Sequence, residues 1–504
     1  MLANFIETPS RSPQPDIWAT LAPVETKKWV QTLPSADYSQ VIELVHQRLL
    51  QMNHIDANAL ELFESTELIR PVVYDALHHF TKKPMGTTFP ISDDNKKLSE
   101  RLLSITTELA ISYWSIADYV IDNSAPKRLK KNSALIAQRA IAGLGQIILL
   151  HYLYKQQEPA GIWLDIHQLF ITFQHDSERS VSDKVARDLP KTSILSCYKQ
   201  LVLLRLAHPY GLLQTEIIEL FFLLEKWSDL VQLTLLNKKP AQNNASCLID
   251  FKNDSSATWQ PFLGQIDLSN LLRLLDDYEE FVDDEIGRFE TTAEKGPQLG
   301  LSPGLIKHLE SCWNGNDLSF DTLFEQGSTR VCTLGLKAIH KSLTSVKETQ
   351  PIALYEHLAE TCADNRLQVL FSEAGTLSLG QLVAFRQPNR SRQHLTLAIT
   401  SDIRYQGASL QFQLQKITHK PYPAHIQPLD SGDQAPQAQP VIIFFSVDEN
   451  DDKKTWIIVE LKNIKLGDRL QLTTSKRTVI AEVMLRKHVG AWCYLLQCKI
   501  LKNR

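Results

Sequence analysis

The sequence predicts an α+β chain: a mostly helical N-terminal two-thirds followed by a C-terminal antiparallel β-barrel region. Three observations predict it. From Asp37 to about residue 240, apolar residues recur at three- and four-residue intervals, the signature of amphipathic helices. From Leu367 onward, β-branched residues, short alternating runs and turns replace that period. Within the helical span, Cys197–Leu236 is a dense apolar stretch that reads as a buried helical hairpin near the centre of the chain.

The hairpin turns at His208-Pro209-Tyr210-Gly211. Pro209 cannot donate a backbone hydrogen bond and pushes His208 out of the helical region, so the first helix should stop there. In the second segment Ile217, Leu220, Phe221, Leu224, Trp227 and Val231 share one face. Upstream, residues 1–16 read as a disordered N-terminus, and 17–240 as an α-helical region, of one domain or two, with the hairpin at its centre. Within it Val41, Leu44, Val45 and Leu49 share a helical face. A helix over Ala57–Phe80 should break or kink at Pro71, and helices follow over Asn95–Val120, Ser133–Tyr154 and Ile162–Phe173. The basic run Pro126–Lys131 reads as a solvated helix entry.

Residues 241–366 read as a mixed, mainly helical connector with short strands at Cys247–Phe251 and Thr329–Leu334. Its acidic run Asp276–Glu285 is the wet face of an amphipathic helix, since a helix cannot aim all of those carboxylates at one cation. In 367–504 the expected strands are Gln368–Phe371, Gly380–Arg386, Leu395–Ile399, Ser409–Leu414, Val441–Phe445, Thr455–Leu461, Arg469–Thr473, Val479–Arg486 and Trp492–Leu501. Leu429–Pro440 reads as a loop or hinge between two groups of these strands, which form one small barrel, two sub-barrels, or a barrel with an appended sheet.

Composition narrows the function. With 504 residues, 43% hydrophobic and 22% charged, the chain fits a soluble multidomain protein. A formal net charge of −4 gives no global field for DNA or RNA. Seven scattered cysteines with no CxxC pair fit reduced thiols in a cytoplasmic protein rather than a disulfide or zinc framework. The N-terminus lacks a signal-peptide pattern, and no uninterrupted apolar run reaches the roughly 18 residues of a membrane span. No Walker, GxGxxG, HExxH, GxSxG or EF-hand pattern is present and the histidines are dispersed, so neither an enzyme nor a metal site is expected. Arg386 and Arg390, four residues apart at the end of a strand, could grip two phosphates, with Arg392 and Arg404 adding charge; solvating arginines in a surface loop would look the same.

Several blocks resemble a proteobacterial family that joins a long helical region to a C-terminal PilZ-like β-region. They are Gln138-Arg139-Ala140, the run Pro159 to Trp163 to His167, Tyr198-Lys199-Gln200-Leu201 leading to His208-Pro209-Tyr210, Trp227, Gly335–His340, and Gly380–Val383 through Gly407. PilZ domains are six-stranded barrels that bind cyclic di-GMP through Arg-x-x-x-Arg and then Asp/Asn-x-Ser-x-x-Gly. The resemblance implies that Arg386 and Arg390 supply the first part, and Asp402 and Gly407 the ends of the second. Arg404 stands at the serine position, the mark of a degenerate barrel. The function so implied is a non-enzymatic bacterial signalling effector that binds cyclic di-GMP and relays to a protein partner through its helices. The alternative is a ligand-free scaffold or adaptor.

Overall fold

The computed structural model describes residues 4–82, 87–122, 125–181, 192–236, 246–252, 254, 264–279, 301–315, 322–345, 353, 355–429, 437–447, 453–460, 463–491 and 493–501. The chain is α+β as expected, with helices first and antiparallel barrels after. The helical region holds α1 (Pro15–Leu21), α2 (Pro23–Gln31), α3 (Tyr38–His54), α4 (Ala59–Thr81), α5 (Asp93–Ile121), α6 (Lys127–Lys130), α7 (Ser133–Leu153), α8 (Ile162–Thr172), α9 (Ile194–Leu206) and α10 (Gln214–Trp227). Their starts obey capping chemistry: Asp37, Asn58, Ser92 and Ser193 each accept a first-turn amide with the side chain.

The helix α7 lies at the centre, packed against α5, α8, α9 and α10. It is long and apolar enough to cross a membrane, but 78% of its most apolar stretch is buried inside the protein. The two-helix hairpin is present as α9 and α10, joined by a 3-10 turn at Pro209–Gly211. Its second arm is shorter than expected. The helix stops at Trp227, a 3-10 turn follows, and Gln232–Leu235 becomes strand β2 of a small sheet with β3 (Ser246–Ile249) and β4 (Gly264–Asp267). Pairing with β4 claims the backbone that helical periodicity alone would have continued. The helix α4 also runs unbroken through Pro71, because Leu62, Ile69, Val73 and Ala76 keep one face fully buried on both sides of it.

Residues 4–16 are an ordered strap rather than a loose end. Ile6 is buried and donates its amide to Asp165, and Ser12 bridges to Ile55. The helices α11 (Ser269–Glu279) and α12 (Pro303–Trp313) complete the helical core. The acidic run beyond Glu279 lies outside the described residues.

Two closed six-stranded barrels follow. The first is built from β5 (Thr329–Leu334), β6 (Glu356–Ala363), β7 (Arg366–Val369), β9 (Leu382–Arg386), β10 (Thr396–Gln406) and β11 (Ser409–Thr418). The two-residue β8 (Leu377–Ser378) instead pairs with β1 (Thr88–Phe89) of the helical region. The second barrel comprises β12 (Tyr422–Pro428), β13 (Gln439–Val447), β14 (Lys453–Val459), β15 (Arg469–Thr473), β16 (Thr478–His488) and β17 (Tyr494–Leu501).

The barrel strands therefore begin at Thr329, before residue 367, and the barrels divide between Thr418 and Tyr422. The Leu429–Pro440 stretch links β12 to β13 inside the second barrel, and its residues 430–436 lie outside the described chain. The strand β12 escapes sequence patterning because Pro423 and Pro428 weaken its strand signal, as prolines inside a run do. Between the barrels sits α13 (Leu336–Thr344). Its Leu336, Ile339 and Leu343 pack with Leu382, Leu395 and Leu397 of the first barrel and with Ile442, Phe444 and Leu495 of the second.

Candidate functional site

The five residues expected to form a ligand site fall at two places. Arg386 ends β9, which pairs antiparallel with the start of β10 through Phe385 and Thr396. Continuing that register puts Arg386 opposite Leu395, and Asp402 lies seven residues further along β10. At about 3.3 Å per residue the two are roughly 20 Å apart along the strand. Arg386 and Arg390 are thus at one end of the first barrel, with Asp402, Arg404 and Gly407 toward the other.

At the first end, Arg386 is inside the protein, 5% exposed. Its Nη2 donates to both oxygens of Glu356 (3.2 and 3.0 Å), and its Nη1 donates to the carbonyls of Pro388 (3.2 Å) and Arg390 (3.0 Å). Arg392 donates Nε and Nη2 to the same carboxylate, both at 3.2 Å. Burial alone would raise the Glu356 carboxyl. The bonds from Arg392, the Ala353 amide and Arg386, with the Arg386 charge, outweigh it and hold the carboxyl below its ordinary value. Arg386 is a structural guanidinium that shapes the turn, and the exposed side chain of Arg390 is what that turn presents to solvent. Glu356 was invisible in the sequence. It lies 30 residues before Arg386 and meets it only when β6, β5 and β9 close side by side.

At the other end, β10 meets the helical region. Tyr405 donates its amide to the Lys155 carbonyl (2.7 Å), Gln157 bonds Gln406 across the seam, and the Tyr405 hydroxyl accepts the Ile91 amide (3.0 Å). The hairpin turn lies against the same strand: a Cβ on Gly211 would come to 3.0 Å from the Ser401 carbonyl oxygen. His208 holds its Nδ1 3.7 Å from Asp402, whose other oxygen takes an ion pair from Arg366. Arg205, near the end of α9, pairs with Glu158 at 3.0 Å.

Arg404 is half-buried, donates to Gln411 (3.3 Å) and feels the charges of Arg366 and Asp402. Burial first, and the neighbouring Arg366 second, bring it below its usual value. His208 is also lowered, by burial opposed by Asp402 and reinforced by Arg205, Arg366 and Arg404. The guanidiniums of Arg205, Arg366 and Arg404 and the His208 imidazole thus gather around two carboxylates, Asp402 and Glu158, and these side chains together carry one net positive charge with His208 neutral. Gly407 supplies a conformation instead. Its φ of 59° opens the two-residue loop between Gln406 and Ser409, where glycine at the first position suits a tight hairpin. Among the described residues, no group of three or more His, Cys, Asp or Glu could hold a metal ion.

Comparison with known proteins bears on the helical half of this seam. Residues 24–240 match the family model described as cyclic-di-GMP receptor FimW, N-terminal domain. The helical region matches that family. The cyclic-di-GMP receptor FimW of Pseudomonas aeruginosa strain PAO1 is 25% identical over 346 residues, which cover 66% of this chain and 55% of the relative. The match thus spans about half the length of that relative. No solved structure matches. The expected likeness to a proteobacterial family with a long helical region and a C-terminal β-region is met. The matched segment includes α9, the 208–211 turn and Lys155, the helical side of the contact with β10.

Proposed function

We propose that this chain is a non-enzymatic, cytoplasmic signalling effector that binds cyclic di-GMP at the helix–barrel seam and relays occupancy to a protein partner through the helical region. The observation that carries the reading is the charge excess around Arg404, Arg366, Arg205 and His208, where the FimW-type helical region meets β10. The ligand offers two phosphodiesters and two guanines. A guanidinium donates two parallel hydrogen bonds to phosphate oxygens and stacks on a purine face, so a half-buried arginine beside a like charge gains from an arriving anion. Asp402 orients Arg366 and His208 in this scheme, and Gly407 shapes the loop at the site's edge.

Arg390 marks a second arginine end, the one that the PilZ pattern favours. The buried pairing of Arg386 with Glu356 speaks for the scaffold alternative at that end. Calorimetric titration of the full chain with cyclic di-GMP separates these readings. At the seam, Arg404→Ala should weaken binding at least tenfold while Arg390→Ala leaves it within about threefold. The reverse pattern would move the site to the Arg390 turn. No binding by well-folded protein would overturn the receptor reading and leave the adaptor.

A further inference from the structure

We infer that the segment from His208 to Leu212 is a latch that couples occupancy of the seam to α9 and α10; this rests on the seam reading above and adds how the site is read out. Among the described residues, two that are not glycine hold a left-handed backbone: Lys155 and His208, each with φ 56°. L-residues hold that conformation only where the surroundings over-determine it. Both belong to this seam.

Lys155 follows the end of α7 and is fully buried. Its carbonyl accepts the Tyr405 amide of β10. Its Nζ donates to the carbonyls of Pro209 (3.0 Å), Tyr210 (3.1 Å) and Leu212 (2.6 Å). One side chain therefore ties the barrel strand, the end of the central helix and the hairpin turn together. Two further bonds reinforce the knot, from the Tyr210 hydroxyl to the Gln156 carbonyl (3.0 Å) and from Gln214 to the Leu153 carbonyl (2.7 Å). Gly211 lets the turn lie flat on Ser401.

The turn has α9 leaving one side and α10 the other, so neither helix end shifts without it. His208 opens the turn and faces Asp402 beside Arg366 and Arg404, the groups that a phosphate would engage. An anion there competes with Asp402 for these cations and changes the grip on His208. The strained backbone gives the turn a relaxed alternative to move to.

The test is hydrogen exchange by mass spectrometry on the full chain, with and without saturating cyclic di-GMP, beside calorimetry. The latch predicts binding together with a change of at least threefold in exchange for amides at the end of α9 and the start of α10. It also predicts that Gly211→Ala, which forces the Ser401 carbonyl to give way by a few tenths of an ångström, binds within about fivefold of wild type yet loses the helical response. Binding without any change in α9 and α10 overturns the latch and leaves the receptor reading standing. An undiminished helical response in Gly211→Ala also overturns it. Absence of binding overturns both. The wild-type comparison does not depend on any variant folding.

Discussion

Replacing Arg386 with alanine should damage the first barrel more than it damages any ligand site. Arg386 is 5% exposed and Glu356 is buried with it, so the substitution removes one of two guanidiniums from a carboxylate that water cannot reach. Breaking a buried ion pair by deleting one partner costs about 3–5 kcal/mol. Arg392 and the Ala353 amide stay on Glu356 and place the cost toward the lower figure. The lost bonds to the carbonyls of Pro388 and Arg390 work the other way and loosen the turn. For a barrel of this size, about 3 kcal/mol lowers the melting midpoint by roughly 10 °C or more. Thermal unfolding, with hydrogen exchange to locate the loss in β6 and β9, reads this out. Glu356 sits below its ordinary value, so its share of stability is complete above the normal carboxylate range and fades as pH falls through the folded value. The gap between wild type and Arg386→Ala should accordingly narrow in acid. Unchanged stability with abolished cyclic di-GMP binding would refute this reasoning and return Arg386 to the ligand.

Three further outcomes are expected. The seam should bind an anion more tightly as pH falls from 7.5 toward 6: His208 is held low when empty, an adjacent phosphate raises it, and binding then takes up a proton. Calorimetry in two buffers of different ionisation enthalpy would reveal that uptake, and its absence would remove His208 from the site. Asp165→Asn should stabilise the helical region above pH 6. Burial, opposed by the Ile6 and Phe5 amides and helped by Asp254, pushes this carboxyl to about 6 from 3.8, worth roughly 3 kcal/mol at most. Because the folded value is raised, that penalty grows as pH rises through the window from about 4 to 6. Urea titrations at pH 4 and 7.5 should show a difference only at the higher pH. Gly490→Ala should separate the barrels, since a Cβ would overlap the Gly380 carbonyl oxygen that accepts the Ala491 amide. Overpacking of this kind costs about 1–3 kcal/mol, and new proteolytic cleavage near residues 419–421 would report it.

The helical half was legible because its signals are local. Pro209 ends α9 as its missing N–H demands, and Ile217, Leu220 and Leu224 are buried where their spacing put them. The limits of the β half were not legible. Thr329–Leu334 reads as a strand, yet nothing nearby says that it pairs with β6 on one side and β9 on the other to close a barrel, or that β12 survives two prolines. The candidate site was half legible. Asp402 and Arg404 sit at a seam whose other members, Arg205, His208 and Arg366, come from elements far away in sequence. Arg386 carries the right spacing for a ligand and is used for structure, because Glu356 reaches it across the barrel.

The placement of α13 also bears on how the protein is made. Its Leu336, Ile339 and Leu343 leave the ribosome long before Ile442, Phe444 and Leu495, the residues of the second barrel that cover them. At about 5–20 residues per second, that apolar face waits on the order of 10–30 s for its cover. A nascent chain paused between the barrels would display a three-residue apolar stripe beside a finished first barrel. Holdase capture should therefore peak at that length and fall once Leu495 has emerged.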